Sequence, residues 1–376
     1  MINVATRPPR GPQVLGLSGK KLGAVLSGWF FVVFDGYDLI VYGTVQTALA
    51  HEWGLTQSAL GSIGSMGFIG MVVGAVLIGR ISDRVGRKAA VIGSVTTLSV
   101  FTMLCAFVPS PWMFATMRLL AGIGLGGLLP SVNAMIADLV SARYVSARAT
   151  LMMSGVPLGG STAAIIARWV VPFDPDWGWR CMFLIALAGI IIGLPVAIAV
   201  IPADSKKSRE TQREARFFDL LNPTYRAVTI WFLIATFVTL LAWYGLGTWL
   251  PRLMHTAGYD FGAALLFTLA LNLGAVLGSI LTACAGVRYG PVKAGSFTAL
   301  LAGVSLLMLL TSPSISAVYV ILVLAGIGTH GTQILVIAAV ADFYPSALQG
   351  TALGWALGFG RIGAVVAPTF AGVLLD

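Results

Sequence analysis

Two aspartates in an apolar stretch are the residues of this sequence that most directly indicate chemistry. Asp35 and Asp38 are three residues apart, so a helix places them on neighbouring positions of one face. Asp35 stands 14 residues beyond Lys21, about 21 Å of helical rise. In a membrane span, two such close carboxylates cannot both ionise at little cost, so at least one should hold a proton near neutral pH. The pair predicts proton exchange; an acidic hydrogen-bond network that only packs helices is the alternative.

Two arginines stand in similarly apolar surroundings. Arg118 is followed by Gly122 and Gly126, which let a neighbouring helix approach closely. We expect Arg118 either at the outer end of this glycine stripe or within the central cavity, and outward extension towards the lipid surface near Trp112 is the alternative. Arg361 lies about 12 residues into the last apolar stretch, where a guanidinium needs an anionic partner, either an aspartate or an anionic substrate.

Further polar and aromatic side chains fall in the apolar stretches. A histidine exchanges protons near pH 7, and flat rings provide walls for an aromatic ligand. Packing within a helix bundle is the alternative for each of these residues, and Asn272 is a further polar position. With Arg361, the candidate substrate-binding residues are His330, Gln333, Tyr42, Trp243, Tyr244 and Asn133. The three Cys and three His have no metal-ligand spacing, so we expect no metal site, no disulfide scaffold and no cofactor.

Composition places these residues in a membrane. The 376 residues are 57% hydrophobic and 10% charged, against about 45–50% and about 25% in soluble domains. This excludes soluble and intrinsically disordered classes. A span needs roughly 20 apolar residues. Eleven stretches qualify: 22–46, 58–79, 89–108, 112–138, 149–171, 180–201, 227–250, 261–284, 294–311, 315–341 and 349–375.

The distribution of basic residues predicts the orientation. The net charge is +9, and a cytoplasmic N-terminus puts 18 of the 23 Lys and Arg residues on the cytoplasmic side. Only Arg168, Arg180 and Arg252 then lie at the opposite face. This bias is typical of membrane proteins, and it explains the positive charge without nucleic acid. The first span follows Lys20 and Lys21 without a cleavage site, so we expect it to be retained.

The chain contains an internal repeat at an offset of 204 residues. The string LAGIG at 120–124 recurs at 324–328, Ala-Asp at 137–138 recurs at 341–342, and Arg-x-Gly at 84–86 recurs at 288–290. The repeat predicts a helical N-terminal half over 1–201, a charged cytoplasmic linker over 202–226 and a helical C-terminal half over 227–376. Parallel repeats of this kind bind substrate between the halves near the midplane.

The same offset predicts how many spans this sequence supplies. Asp376 corresponds to Pro172, at the end of the fifth helix of the first half. We therefore expect an all-α polytopic fold of two parallel six-helix repeats in which the last helix is missing, giving 11 of 12 spans.

A charged loop between the second and third spans carries a recognisable motif. The string GRISDRVGRK at 79–88 resembles the G-x-x-x-D-R-x-G-R-[KR] loop of the major facilitator superfamily. The resemblance implies a gate in which the acidic residue meets the N-terminus of the eleventh helix and the arginines pair with an acid ending the fourth. The second-half loop has Val287 where the acid would be. The gating residues so implied are Gly79, Asp83, Arg84, Gly86, Arg87 and Asp138.

A string in the first span resembles one particular family within this superfamily. The string DGYDLIVYG at 35–43 is similar to the D-G-[FY]-D pattern of the aromatic acid:proton symporter family, most of all to its benzoate transporters. The strings WGWR at 177–180 and GWALGFGRIG at 354–363 agree. The chain departs from the family at Asp138, where glutamate is common, and at 349–350. The R-x-x-x-G-x-G-x-G string that opens at Arg118 also resembles a superfamily element associated with proton coupling.

The resemblance implies an importer of benzoate or a hydroxybenzoate with protons, working by alternating access. Such a protein would be a monomer in the inner membrane of a bacterium, with an aromatic acid, protons and lipid as its only partners. The sequence has no constellation of catalytic residues, so we expect no enzyme.

Three other functions stay open. The string GVPLGG at 155–160 partly resembles an element of drug/proton antiporters, which export amphipathic compounds. A symporter for a different organic acid and a non-transporting membrane sensor are the others.

Overall fold

The computed structural model describes residues 19–139, 145–201, 217–311 and 313–376, and their regular secondary structure is helical throughout. A π-helical turn, Gly189–Gly193, joins α6 to α7, and the two form one span. The helices are α1 (Gly19–Trp53), α2 (Gln57–Arg84), α3 (Arg87–Leu104), α4 (Pro111–Leu139), α5 (Val145–Val170), α6 (Gly178–Leu184), α7 (Leu194–Val200), α8 (Arg226–Thr256), α9 (Phe261–Tyr289), α10 (Pro291–Met308), α11 (Ile315–Phe343) and α12 (Ser346–Leu375). Eleven segments of the described chain are long and apolar enough to cross a membrane, which confirms the eleven predicted spans.

Local sequence signals explain where several helices begin. The Thr56 hydroxyl accepts a hydrogen bond from the backbone N–H of Ala59 and caps α2, and Asp260 caps α9 in the same way. Gly86 and Gly290 precede α3 and α10 with φ of +119° and +84°. Residues with a Cβ rarely adopt this backbone region, so glycine permits both sharp turns.

The helices reproduce the repeat of the sequence. The bounds of α3 and α10 differ by 204 residues at both ends, as do those of α4 and α11. The two glycine turns at 86 and 290 obey the same offset. We refer to α1–α7 as the first repeat and α8–α12 as the second repeat. The predicted linker boundaries stay a prediction, because residues 202–216 lie outside the described residues.

Equivalent helix pairs form the two repeats. In the first repeat α2 packs on α4 and α1 on α5, and in the second repeat α9 packs on α11 and α8 on α12. Between the repeats α2 packs against α12, α5 against α9 and α1 against α8. The candidate residues on α1, α8 and α12 are therefore carried by helices of this inter-repeat interface.

Glycines on α4 permit the closest of these contacts. A Cβ on Gly122 would overlap the Gly67 carbonyl of α2, and one on Gly126 would overlap the Met71 carbonyl. In the second repeat Gly326 of α11 packs in the same way on α9. The glycines after Arg118 thus let α4 lie directly on the α2 backbone.

The WGWR string joins α6 to the end of α1. Arg180 forms an ion pair with Glu52 at 2.6 Å, and the Trp179 indole N–H donates to the same carboxylate at 2.6 Å. The Arg180 guanidinium also lies 4.2 Å from the centre of the Trp179 ring. This string therefore fastens helices within the first repeat.

The packing of α4 on α2 predicts that Gly126→Val destabilises the protein. Its side chain would meet the α2 backbone, and overpacking of this kind costs about 1–3 kcal/mol. Thermal unfolding of the detergent-solubilised protein should show a lower midpoint. The control is Gly93→Val on α3, because a Cβ there meets nothing within 4 Å. Equal midpoints for the two variants would contradict this description of the packing.

Candidate functional site

A buried ion pair joins α1 to α4. Asp38 is 0% exposed, and its Oδ2 lies 2.8 Å from Nη1 of Arg118. The Thr102 hydroxyl of α3 donates to Asp38 Oδ1 at 2.6 Å. Arg118 is itself buried, so its side chain does not extend to the surface of the bundle. The Asp38 carboxylate is thus neutralised and hydrogen-bonded inside the first repeat.

Asp35 has different surroundings from Asp38, although the two are close enough to interact electrostatically. It is buried, yet no residue in the described part of the chain donates a hydrogen bond to its carboxylate. Asp35 interacts electrostatically with Arg361 of α12 and with Tyr244 of α8. The two aspartates therefore have different partners, one within its own repeat and one across the interface.

Arg361 is the cation that the second repeat contributes to this interface. Its side chain is half-buried, and it interacts electrostatically with Asp35 and Tyr244. The Tyr244 ring lies 4.8 Å from the ring of Phe68 on α2, so aromatic groups of both repeats meet beside the charges. The arrangement offers a guanidinium and flat apolar surfaces at one place between the repeats.

His330 and Trp243 form a second group of the second repeat. Both are buried, and their ring centroids are 4.9 Å apart. Neither imidazole nitrogen makes a well-formed hydrogen bond with a described residue, and His330 interacts with the backbone of Met153 on α5. This imidazole therefore also lies where the two repeats meet.

The other predicted substrate-binding residues lie elsewhere. The Tyr42 hydroxyl donates to the Leu60 carbonyl, and its ring lies 5.9 Å from the Arg118 guanidinium carbon. Tyr42 thus supports Arg118 within the first repeat. Gln333 is half-buried on α11, one turn from His330. Asn133 is exposed on α4, 15 residues or about 22 Å of helical rise from Arg118, which separates it from the charged cluster.

The predicted gating loop is described in part. Gly79 is free of tertiary contact at its Cα, Arg84 is exposed, and Gly86 makes the turn into α3. Arg87 donates to the Ala134 carbonyl of α4. The side chains of Asp83 and Asp138 lie outside the described residues, so their predicted contacts stay predictions.

The sequence analysis did not identify Thr102, and it named Asn272 only as a further polar position. Thr102 carries no motif, yet its hydroxyl on α3 donates a hydrogen bond to Asp38 of α1. Asn272 of α9 is almost fully buried, and its side-chain oxygen lacks a hydrogen-bond donor among the described residues. Each is one of several polar residues in its helix, so the sequence did not single it out.

The repeats are in contact at the end of the bundle that holds the α1–α2 loop. Arg252 of α8 donates to the Gln57 side chain of α2 at 2.6 Å. The Asp376 carboxylate accepts hydrogen bonds from the backbone N–H groups of Gln57 and Ser58. These hydrogen bonds lower the pKa of Asp376 below its usual range. Polar contacts therefore close this end across the interface.

The opposite end, which holds the α2–α3 loop, contains a cavity of about 320 Å³. Helices α5, α9, α10 and α11 line it, with Met153, Thr282, Leu335 and Asp342 among the lining residues. The described structure thus has polar contacts between the repeats at one end and a cavity at the other.

The GVPLGG string of α5 has a packing function. A Cβ on Gly159 would overlap the backbone of α1 at Val33, and one on Gly155 would press on Val32. On α1, Gly36 packs against the Val156 backbone of α5 in return. The glycines of this string that resemble an antiporter element are accounted for by the contact of α5 with α1.

The buried ion pair predicts non-additive effects on stability. Removing one member leaves an uncompensated buried charge and lowers the free energy of unfolding by about 3–5 kcal/mol. Arg118→Met should therefore lower the thermal unfolding midpoint strongly, and Arg118→Met with Asp38→Asn should recover part of the loss. A double variant that is as unstable as the two single losses combined would contradict the ion pair.

Comparisons with known proteins agree with this geometry. The family model described as "Major Facilitator Superfamily" matches residues 28–368. A gentisate transporter of Corynebacterium glutamicum is 67% identical, covering 97% of this chain and 84% of the relative. A benzoate transport protein of Acinetobacter baylyi is 32% identical, covering 94% of this chain and 83% of the relative.

Solved structures show the same fold. The D-xylose-proton symporter has a TM-score of 0.80 at 15% identity, covering 94% of this chain and 90% of that protein. An inward-facing bacterial homologue of the lysosomal transporter Spinster gives 0.78 at 20% identity, covering 95% and 83%. The helical repeats, the buried charges between them and these matches together show that the chain belongs to the Major Facilitator Superfamily of membrane transporters.

Proposed function

We propose that this protein imports an aromatic carboxylate together with protons by alternating access, and that gentisate, a dihydroxybenzoate, is a substrate. The observation that carries the proposal is the buried Asp35, which lacks a hydrogen-bond donor among the described residues and faces Arg361 across the interface. The gentisate and benzoate transporters among the relatives support the substrate class.

The charges suggest how a proton and an anion are coupled. In the empty site Arg361 balances the Asp35 carboxylate. An incoming substrate carboxylate offers Arg361 a partner that can form two parallel hydrogen bonds. Asp35 then loses its counterion in a low-dielectric place and takes up a proton. One anion and one proton enter together, and the total charge of the site is unchanged.

The ion pair of Asp38 and Arg118 has a supporting role in this proposal. Arg118 holds Asp38 through Nη1, and the Thr102 hydroxyl fixes the second carboxylate oxygen. The position of α1, and with it of Asp35, is thereby set relative to α3 and α4.

We assign the closed end of the structure to the outside and the cavity end to the cytoplasm of a bacterial cell, with the N-terminus cytoplasmic. The excess of Lys and Arg in the loops of the cavity end supports this orientation. The structure is then an inward-facing arrangement. Separation of α2 from α12 and of α5 from α9 at the closed end would open the site to the outside.

Flux measurements in proteoliposomes test the proposal. Labelled gentisate and benzoate should accumulate inside when the outside is acidic, and dissipating the pH gradient should abolish accumulation. A proton-driven exporter of amphipathic compounds would move its substrate in the opposite direction. Binding of either acid without flux would indicate a sensor and refute the proposal.

Asp35→Asn should abolish acid-driven accumulation of gentisate, by at least about tenfold, because an amide cannot carry the proton. Exchange of labelled for unlabelled substrate across the membrane should persist, because it needs no net proton movement. The control is Asp260→Asn at the exposed start of α9, where asparagine caps a helix as well as aspartate does. Full accumulation by Asp35→Asn would refute the role of Asp35.

Arg361→Gln should raise the KM for both acids by roughly 10- to 100-fold, since a charged hydrogen bond to the carboxylate is lost. Arg361→Lys should recover part of the affinity, because it restores the charge without the two-pronged geometry. Arg288→Gln, at an exposed position near the end of α9, serves as the control. An unchanged KM for Arg361→Gln would place the carboxylate elsewhere.

A further inference from the structure

The side-chain oxygen of Asn272, on α9, receives no hydrogen bond from any residue that the structure describes. The residue is 1% exposed, and its Nδ2 donates to the Thr268 carbonyl one turn earlier at 2.9 Å. That bond fixes which end of the amide is nitrogen, so Oδ1 is the acceptor left without a partner among the described residues. Buried polar atoms without partners are rare in folded proteins, and each one needs an explanation.

The oxygen lies at the interface between the repeats. It contacts Gly160 of α5, where a Cβ would come within 2.5 Å of it, and the side chain of Ile40 on α1 adjoins the same position. Ile40 is two residues, or about 3 Å of helical rise, from Asp38. The amide therefore lies at about the depth of the charged cluster, on a helix of the second repeat.

The neighbours of Asn272 connect it to the aromatic part of the site. Leu271, the preceding residue, belongs to the buried cluster that includes Trp243, and the Trp243 ring lies 4.9 Å from the His330 ring at an angle of 45°. Gly160 covers the oxygen in the arrangement described here. In the proposed opening to the outside α5 separates from α9, which would uncover the oxygen for an incoming substrate.

The chemistry of an unpaired acceptor limits what it can bind. A carboxylate has only acceptors, so the acid group of the substrate cannot satisfy Asn272, whereas a phenolic hydroxyl donates a hydrogen bond. We propose that Asn272 Oδ1 accepts a hydrogen bond from a ring hydroxyl of the aromatic acid. Asn272 would thereby select hydroxylated benzoates over benzoate. This inference rests on the proposed function.

The test compares gentisate and benzoate uptake under one imposed pH gradient. Asn272→Leu, nearly isosteric but without an acceptor, should lower kcat/KM for gentisate by roughly 10- to 100-fold. Uptake of benzoate should stay within about threefold, because benzoate has no hydroxyl to lose. The control is Ser161→Ala beside Gly160, a buried hydroxyl that already donates to the Pro157 carbonyl; it should preserve the wild-type ratio of the two acids.

Equal losses of kcat/KM for both acids in Asn272→Leu would overturn the inference and indicate a conformational role of the amide. Wild-type values of kcat/KM for both acids in this variant would overturn it too. Thermal stabilisation of the purified protein by each acid repeats the comparison without flux, and Asn272→Ala replaces the leucine variant if that variant does not fold. Uptake of neither acid by the wild-type protein would instead refute the proposed function itself.

Discussion

Charge neutralisation in a low-dielectric interior is the constraint on which this structure depends. An isolated charge inside the membrane is expensive, so each buried ionisable group needs a counterion or a proton. Asp38 meets this requirement permanently through Arg118 and Thr102. Asp35 has no such ion pair among the described residues, and Arg361, across the interface, is a cation that interacts with it electrostatically. A permanent ion pair fixes helices, whereas a pair divided between two moving bodies can be exchanged for a substrate and a proton.

The two repeats form equivalent helix bundles, and the buried charges lie at positions where the repeats have different residues. Positions 204 residues apart occupy equivalent places, yet Arg118 corresponds to Leu322 and Asp38 to Ala242. Arg361 in turn corresponds to Pro157 of the first repeat. The anionic and cationic partners of the exchangeable pair therefore come from different repeats. Rocking of two equivalent bundles changes the distance between them, which an ion pair within one bundle would not allow.

The sequence was sufficient to predict the spans, because a helix that crosses the hydrocarbon core needs about 20 apolar residues. It also predicted the repeat, because the bounds of equivalent helices differ by the same 204 residues as the repeated strings. It left two placements open for Arg118, which the structure buries. It did not separate Asp35 from Asp38, because a spacing of three residues leaves them about 60° apart on a helix and their partners depend on which helices pack alongside. A role of the Tyr42 ring as a wall for the ligand stays a prediction, and the Tyr42 hydroxyl donates to the Leu60 carbonyl. Thr102 and Asn272 can be recognised as site residues only from the contacts that they make in the folded structure.

In the proposed mechanism, the same electrostatics accounts for obligatory coupling. A site with Asp35 ionised and Arg361 charged is neutral, and so is a site with both proton and substrate anion. Substrate without a proton leaves Asp35 unpaired, and a proton without substrate leaves Arg361 unpaired. An uncompensated buried charge costs about 3–5 kcal/mol, which disfavours closure of either half-loaded form by roughly 10²- to 10⁴-fold. Only the empty and the fully loaded protein then reorient readily, so the proton gradient is not dissipated without cargo.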